Sequence, residues 1–238
     1  MSGMTDPIAH NLANVTAEIT AACTRVGRSP NEVQIVAVTK YAQPAWIERL
    51  IELGVRELGE SRPQQLVQRA GQFATDVRWH LIGHLQRNKV KPVLPQTVLI
   101  HSVDSLRLLE RISEVAAELS LCPRVLLEVN VADEASKDGL LAAELRSQWP
   151  AFQAVSHVEI AGLMTMAPLA DNPEAARPIF RGLRQLRDEL ATTAAPQVRL
   201  TELSMGMSGD FAVAIEEGTT IVRIGSRLFD CLEPRADK

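Results

Sequence analysis

The 238-residue sequence has only three cysteines and no apolar run long enough to cross a membrane. Cys23, Cys122 and Cys231 lie far apart and match no zinc or redox spacing, so we expect three free thiols in a reducing cytosol. A membrane-spanning helix needs about 20 consecutive apolar residues. The first residues also lack the basic and apolar regions of a signal peptide. We therefore expect a cytoplasmic protein that does not bind to membranes.

Long basic runs are also absent, and the formal net charge is −4 at pH 7. A chain with this charge pattern is not expected to bind nucleic acid or an anionic lipid surface. No internal repeat, low-complexity tract or Pro/Gly-rich linker marks a second domain. We predict one domain over residues 1–238, with a helix in residues 1–30 and the rest of the fold in residues 31–230.

The spacing of apolar residues changes after residue 30. Before it, apolar residues recur at i, i+4, i+7 and i+11 from Ile8, which predicts an amphipathic helix. After it, short apolar runs alternate with helical segments, and such runs are typical of strands buried on both faces. The predicted strands span residues 33–40, 56–60, 77–83, 98–104, 124–131, 158–166, 200–205 and 221–226.

Eight alternating strands and helices favour an α/β fold, a single (β/α)₈ TIM barrel, over an open parallel sheet. No GxGxxG motif follows any strand, which argues against a dinucleotide-binding fold. Functional sites of such barrels lie at the C-terminal ends of the strands. The residues that close each predicted strand are therefore the first candidates for a site.

Lys40 closes the first predicted strand, in the segment IVAVTK. A lysine that is partly desolvated at the mouth of a barrel has a lowered pKa, and its neutral amine can attack an aldehyde. The alternative is a lysine that ends a strand in solvent, with no chemical role.

The loops after the last two predicted strands read SMGMSGD and RIGS, and barrels often bind a phosphate at this place. Gly206 and Gly209 allow backbone amides to come close to an anion. Ser208 can cap the following helix, and Gly225 and Ser226 add further amides and a hydroxyl. The alternative is an ordinary glycine turn followed by a helix cap.

Other polar residues near the strand ends give weaker predictions. His80 and His84 have a spacing that suits a metal only on a helix, and no glutamate directly follows His80, so we predict no metal site. Glu60 and Asp104 are candidate general acids or bases, although one sequence cannot show that two carboxylates are paired. The segment 164–166 is more typical of packing than of ligand binding.

Seven segments, in order along nearly the whole chain, resemble the pyridoxal phosphate homeostasis proteins, also called PLP-binding proteins. They are VAVTK at 36–40, LGES at 58–61, HLIGHLQRNK at 80–89, EVN at 128–130, GLMTMAP at 162–168, SMGMSGDF at 204–211 and VRIGS at 222–226. The third and sixth segments are highly specific. The resemblance implies the fold of the N-terminal barrel of alanine racemase and eukaryotic ornithine decarboxylase, with an extra N-terminal helix.

The resemblance also implies a cofactor, pyridoxal 5′-phosphate (PLP), held as a Schiff base on Lys40. It assigns phosphate contacts to Ser208, Gly225 and Ser226, and it places Arg223 opposite the pyridine nitrogen. A salt bridge from Arg223 to a carboxylate at the barrel mouth, such as Glu60, is the alternative for that arginine.

We expect further cofactor contacts from other residues at the strand ends, namely Ser61, His84, Asn130, Met164, Ser204 and Met207. Ser61 departs from the family pattern, which commonly has asparagine after Gly-Glu. Serine keeps a hydroxyl but loses the amide, so a ring contact from this position is in doubt.

The implied function is PLP binding in intracellular vitamin B6 and amino-acid homeostasis, without turnover of a substrate. The expected partners are PLP and PLP-dependent apo-enzymes, and the expected state is a monomer. A PLP-dependent amino-acid racemase or decarboxylase is the alternative. Only 12 residues follow Ser226, so we expect the domain that carries the second catalytic base of such enzymes to be missing. A Schiff-base aldolase acting on a phosphosugar would share the lysine and the phosphate loops but not the seven segments.

Overall fold

Eight parallel strands close into a barrel in the computed structural model, which describes residues 6–73, 76–133, 138–195 and 198–232. The strands are β1 (Gln34–Val38), β2 (Glu57–Glu60), β3 (Arg78–Leu81), β4 (Leu99–Val103), β5 (Arg124–Asn130), β6 (Leu140–Leu141), β7 (Glu159–Met164), β8 (Glu202–Met207) and β9 (Ile221–Ile224). The two-residue β6 lies outside the ring and pairs only with the end of β5. Pairing of β9 with β1 and of β4 with β5 closes the barrel and confirms the predicted fold.

Helices cover the outside of the barrel. They are α1 (Pro7–Arg25), α2 (Pro44–Glu52), α3 (Pro63–Ala70), α4 (Val90–Val93), α5 (Leu106–Leu119), α6 (Ala142–Gln153), α7 (Arg177–Ala191) and α8 (Phe211–Glu216). The predicted N-terminal helix is α1, which packs against α2 and α8. The Asp6 carboxylate caps it by accepting hydrogen bonds from the amides of Ile8 and Ala9. Gly27 follows the helix with a φ of +68°, a conformation that glycine adopts without strain.

Successive residues of each strand point alternately toward the helices and into the barrel. The outward residues form the large apolar core with the helices, and Ala37, Leu58 and Trp79 belong to it. The apolar inward residues form a second, smaller cluster inside the barrel, made of Val36, Leu99, Leu126, Ala161, Met164 and Ile221. A filled lower interior leaves only the upper, C-terminal end of the barrel open for a ligand.

Within the described ranges, no helix combines the length and the apolar character that a membrane crossing requires.

Candidate functional site

A cavity of about 770 Å³ opens at the C-terminal ends of the barrel strands. Its wall is formed by residues from the ends of β1, β8 and β9, from the segments after β1, β2, β3, β7, β8 and β9, and from α2. Seven of the predicted site residues line it, namely Lys40, Ser61, Met207, Ser208, Arg223, Gly225 and Ser226. The structure therefore brings together side chains that are up to 186 positions apart in the sequence.

The other predicted site residues are not part of the cavity wall. Met164 is completely buried in the apolar cluster inside the barrel, and Ser204 is completely buried beneath the cavity. Asn130 is buried at the end of β5, where its backbone pairs with Leu141. His84 is exposed, and its Nδ1 atom lies 3.1 Å from Oδ2 of Asp104. The structure therefore does not bring these four residues into the cavity wall.

Lys40 lies just beyond β1, on the inward side of the barrel. Strand alternation points Val38 and Lys40 toward the cavity, while Thr39 between them is buried against the helices. The Lys40 side chain is exposed, with its Nζ atom 5.1 Å from the centre of the Tyr41 ring. The expected partial desolvation of this lysine is thus not seen, because the barrel mouth above it is open.

A buried ion pair holds the backbone on both sides of Lys40. Arg69 of α3 donates hydrogen bonds to the carbonyl oxygens of Thr39, at 2.7 Å, and Ala42, at 2.8 Å. Its guanidinium also binds the carboxylate of Glu60, which accepts a second hydrogen bond from the Thr39 hydroxyl. The roles of Arg69 and Thr39 were not predicted from the sequence, since no motif or spacing links their side chains to Lys40.

Glu60 faces the helices and not the cavity, because it lies on the outward side of β2. Its side chain is completely buried. Burial raises the pKa of its carboxyl group, while the hydrogen bond from Thr39 and the charge of Arg69 oppose that rise. The interpretation of Glu60 as a general acid or base of the site was wrong, and so was the alternative of a Glu60–Arg223 salt bridge.

Two backbone amides converge on the hydroxyl of Ser208. Its Oγ atom accepts hydrogen bonds from the amides of Gly225, at 3.2 Å, and Arg227, at 3.4 Å. Ser208 therefore joins the two predicted phosphate loops at one point. A side chain at Gly225 would crowd this junction, because a Cβ atom there would lie 3.3 Å from Cβ of Val38.

The helix after the SMGMSGD loop begins later than predicted. Its first residue is Phe211, and Asp210 occupies the N-cap position, so Ser208 does not cap it. The Asp210 carboxylate instead accepts a hydrogen bond of 2.6 Å from the amide of Met207 and closes the turn. Gly206 makes this turn possible, because its φ is +92° and a Cβ atom at its position would lie only 2.6 Å from Cβ of Ala214.

Arg223 lies on the floor of the cavity and is only 4% exposed. Its Nη1 atom donates to Oγ of Ser204 at 2.6 Å, and its Nη2 atom donates to the carbonyl oxygen of Thr165 at 3.0 Å. Burial lowers the pKa of Arg223 to about 10, although the negative charges of Glu128 and Asp210 oppose this. The guanidinium therefore remains a cation at neutral pH.

The cavity fits PLP on three features of this chain. A primary amine stands at the mouth, Ser208, Gly225 and Ser226 of the two loops line the wall, and a buried cation lies on the floor. An aldehyde, a phosphate and a ring nitrogen are the groups that such features bind. Asp210 and Asp230 also line the cavity, but the Asp210 carboxylate is turned back onto the Met207 amide.

Comparison with known sequences assigns the chain to one family. The family described as alanine racemase, N-terminal domain, matches residues 8–232. The chain is 42% identical over 219 residues to the pyridoxal phosphate homeostasis protein of Aquifex aeolicus, a match that covers 92% of this chain and 95% of that protein. It is 37% identical over 227 residues to the protein of the same name from Escherichia coli K12, covering 93% and 95%.

Solved structures agree with this assignment. PipY of Synechococcus elongatus PCC7942, solved with PLP bound, superposes with a TM-score of 0.82 at 36% identity, covering 93% of this chain and 99% of that one. Alanine racemase of Clostridium difficile 630 superposes with a TM-score of 0.73 at 16% identity, and the match covers 94% of this chain and 56% of the racemase. This superposition shows that the two proteins share a fold. By sequence and by structure, the chain belongs to the family of the pyridoxal phosphate homeostasis proteins.

Proposed function

We propose that this protein binds PLP as a Schiff base on Lys40 and serves PLP and amino-acid homeostasis without catalytic turnover. The observation that carries the proposal is the meeting of Lys40, the Ser208 junction and Arg223 in one cavity. When bound, PLP supplies an aldehyde that forms a Schiff base with an amine and a ring that can withdraw electrons. The free cysteines Cys23, Cys122 and Cys231 are compatible with the cytosol as the compartment we propose.

Each part of the cavity has its own role in the proposal. Lys40 provides the amine, and Arg69 fixes the carbonyl groups of Thr39 and Ala42 around it. Ser208, Gly225 and Ser226, which line the cavity, bind the phosphate. Arg223 donates a hydrogen bond to the ring nitrogen, because a guanidinium has donors only. A ring nitrogen that accepts this bond stays unprotonated, which weakens the ring as an electron sink.

Trapping with borohydride tests the Schiff base. The wild-type protein should give a PLP adduct on Lys40 by mass spectrometry of peptides, and Lys40→Ala should lose the adduct together with the visible absorbance band. Lys91→Ala is the matched control, because Lys91 is exposed, pairs with Glu118 and does not line the cavity. An adduct that persists in Lys40→Ala on another lysine, such as Lys89 or Lys137, would overturn the assignment; Lys137 lies outside the described residues.

The absence of turnover is tested with amino acids as substrates. The PLP-loaded protein should neither racemise nor decarboxylate L-amino acids on long incubation, as followed by chiral chromatography. Multiple turnovers per bound PLP that disappear in Lys40→Ala would support the racemase or decarboxylase alternative.

We further propose PLP-dependent apo-enzymes as recipients of the bound PLP. The rim of the cavity carries three of the large apolar side chains that are exposed in the described part of the chain, Tyr41, Met166 and Leu169. Apolar groups gathered at a site opening are typical of protein contact surfaces. Transfer that is no faster from the protein than from an equal concentration of free PLP, measured by activation of an apo-enzyme, would contradict this proposal.

A further inference from the structure

A chain of hydrogen bonds crosses the interior of the barrel beneath the cavity. It starts at the lower end, where Glu57 opens β2, and its Oε2 atom lies 2.7 Å from Nε2 of His80. Nδ1 of His80 lies 2.9 Å from Nε2 of His101, and Nδ1 of His101 lies 2.9 Å from Oγ of Ser204. Ser204 in turn accepts the 2.6 Å hydrogen bond from Arg223. The chain thus ends at a cation that lines the cavity.

The two ends of this chain fix the direction of every hydrogen bond in it. Arg223 can only donate, and an ionised Glu57 can only accept. Burial opposes ionisation of Glu57, but its interactions with His80 and Arg78 outweigh burial and lower its pKa, so Glu57 is held ionised. Each of the three groups between the ends has one donor and one acceptor when neutral. The Ser204 hydroxyl has no acceptor other than Nδ1 of His101 among the described residues, so with both histidines neutral the hydrogens all point from Arg223 toward Glu57.

His101 is neutral in this arrangement. It is completely buried, and burial is the largest cause that holds its pKa well below the usual range. The direction of these hydrogen bonds places the proton of His101 on Nε2, facing His80. It leaves Nδ1 of His101 as the acceptor for the Ser204 hydroxyl. Within the described part of the chain, that hydroxyl has no other hydrogen-bond acceptor. Ser204 is thereby turned so that its lone pairs face Arg223.

We infer that His101 is a positioning residue that, through Ser204, holds the Arg223 guanidinium at the floor of the PLP cavity. This inference rests on the proposed function, because Arg223 is proposed there to contact the ring nitrogen. The inference assigns a role to His101 and Ser204, two buried residues that do not themselves line the cavity. His80 and Glu57 anchor the far side of the His101 ring, since a buried imidazole needs partners for both nitrogens.

The tautomer of His101 is measured on the protein without PLP. In ¹⁵N-labelled wild type above the range in which histidine titrates, Nε2 of His101 should carry the proton and Nδ1 should not. Ser204→Ala should move the Nδ1 shift, because it removes the only donor assigned to that atom. A proton on Nδ1 in the wild type would overturn the inference, whatever the protein does with PLP.

Two isosteric variants separate positioning from packing. Asparagine at position 101 places a polar atom near the site of Nδ1 and can still accept from Ser204, whereas glutamine places its amide near Nε2 and can still donate to His80. Both lose one hydrogen bond and have similar volumes, so a purely structural role predicts equal effects. We expect His101→Gln to weaken PLP affinity about tenfold or more, the loss of a hydrogen bond that positions a charged group.

His101→Asn should stay close to the wild type in PLP affinity and in the ¹⁵N shift of the PLP ring nitrogen. Equal affinities and equal ring shifts in the two folded variants would overturn the inference. Folding of each variant is checked by thermal unfolding of the PLP-free protein. A wild type that binds no PLP would refute the proposed function but leave the tautomer measurement in force, so the two failures are distinguishable.

Discussion

Replacing Arg69 by methionine tests the buried pair that holds the Lys40 segment. Methionine fills much of the same volume but makes none of the hydrogen bonds to Glu60, Thr39 and Ala42. The Glu60 carboxylate would then be completely buried without its cation. Removing one partner of a buried pair costs about 3–5 kcal/mol. That is a large part of the roughly 5–15 kcal/mol by which domains are stable.

Urea unfolding followed by tryptophan fluorescence measures this loss as a change in the free energy of unfolding. The double variant Arg69→Met/Glu60→Gln should be more stable than Arg69→Met alone, because it no longer buries a lone charge. The comparison remains possible if the single variant does not fold and the double variant does. Arg69→Lys is the control that keeps the charge but cannot reach all three acceptors with a planar group.

The stability that Arg69→Met loses should depend on pH, and the pKa of Glu60 gives the sign of that dependence. Without Arg69, the pKa of Glu60 should rise further above its unfolded value, so the folded state binds more protons than the unfolded state between those two values. Stability then falls as pH rises through that range. Arg69→Met should therefore lose less stability in mildly acidic buffer than in alkaline buffer. A loss below about 1 kcal/mol, typical of an exposed pair, or one independent of pH, would refute this reasoning.

Two further substitutions test the phosphate junction and the barrel packing. Ser208→Ala should weaken PLP binding by about tenfold or more, since a hydrogen bond to a charged group contributes roughly 1.5–3 kcal/mol. The substitution should leave the weaker binding of pyridoxal unchanged in the same titration. An equal loss for both ligands would contradict the phosphate assignment. Gly162→Ala should prevent normal folding, because its Cβ would lie 1.9 Å from the Glu202 carbonyl oxygen on the neighbouring strand. Soluble yield and thermal unfolding measure the effect. A stable variant would show that β7 and β8 can separate.

The barrel could be predicted from the sequence because its strands are buried on both faces. The apolar runs indicated all eight barrel strands, with ends that differ by a few residues from those observed. The observed strands stop earlier, at residues 38 and 224, where the chain turns into the cavity loops. The two-residue β6 was not predicted, because two residues carry no periodicity.

The site could be predicted only in part. Lys40, Ser208 and Arg223 follow strands directly or lie near their ends, and the rule that barrel sites lie at strand ends brings them together. The rule fails for Glu60, because a shift of one position along a strand turns a side chain from the cavity to the helices. Arg69 and His101 act through contacts with residues far away in the sequence, which no local pattern encodes.

Glu128 provides a pH-dependent test of the polar interior. Burial is the largest cause that raises its pKa to about 7, the charge of Arg223 opposes the rise, and Asp104 and Asp138 add to it. In the unfolded chain this glutamate has an ordinary, lower pKa, so between the two values the folded state binds more protons. Its contribution to stability is therefore fully favourable in acid and is lost as pH rises through about 7.

A glutamine at position 128 keeps the shape of the neutral carboxyl group and cannot ionise. The difference in the free energy of unfolding between wild type and Glu128→Gln should therefore change by about 3 kcal/mol from acid to alkaline buffer, at about 1.4 kcal/mol per pKa unit. Urea titrations at several pH values measure this difference, and the wild type should lose stability relative to the variant as pH rises from about 4.5 to about 7, with little further change above that. Curves that stay parallel across this range would show that Glu128 is ionised in the folded protein and that Arg223 compensates for its burial in full.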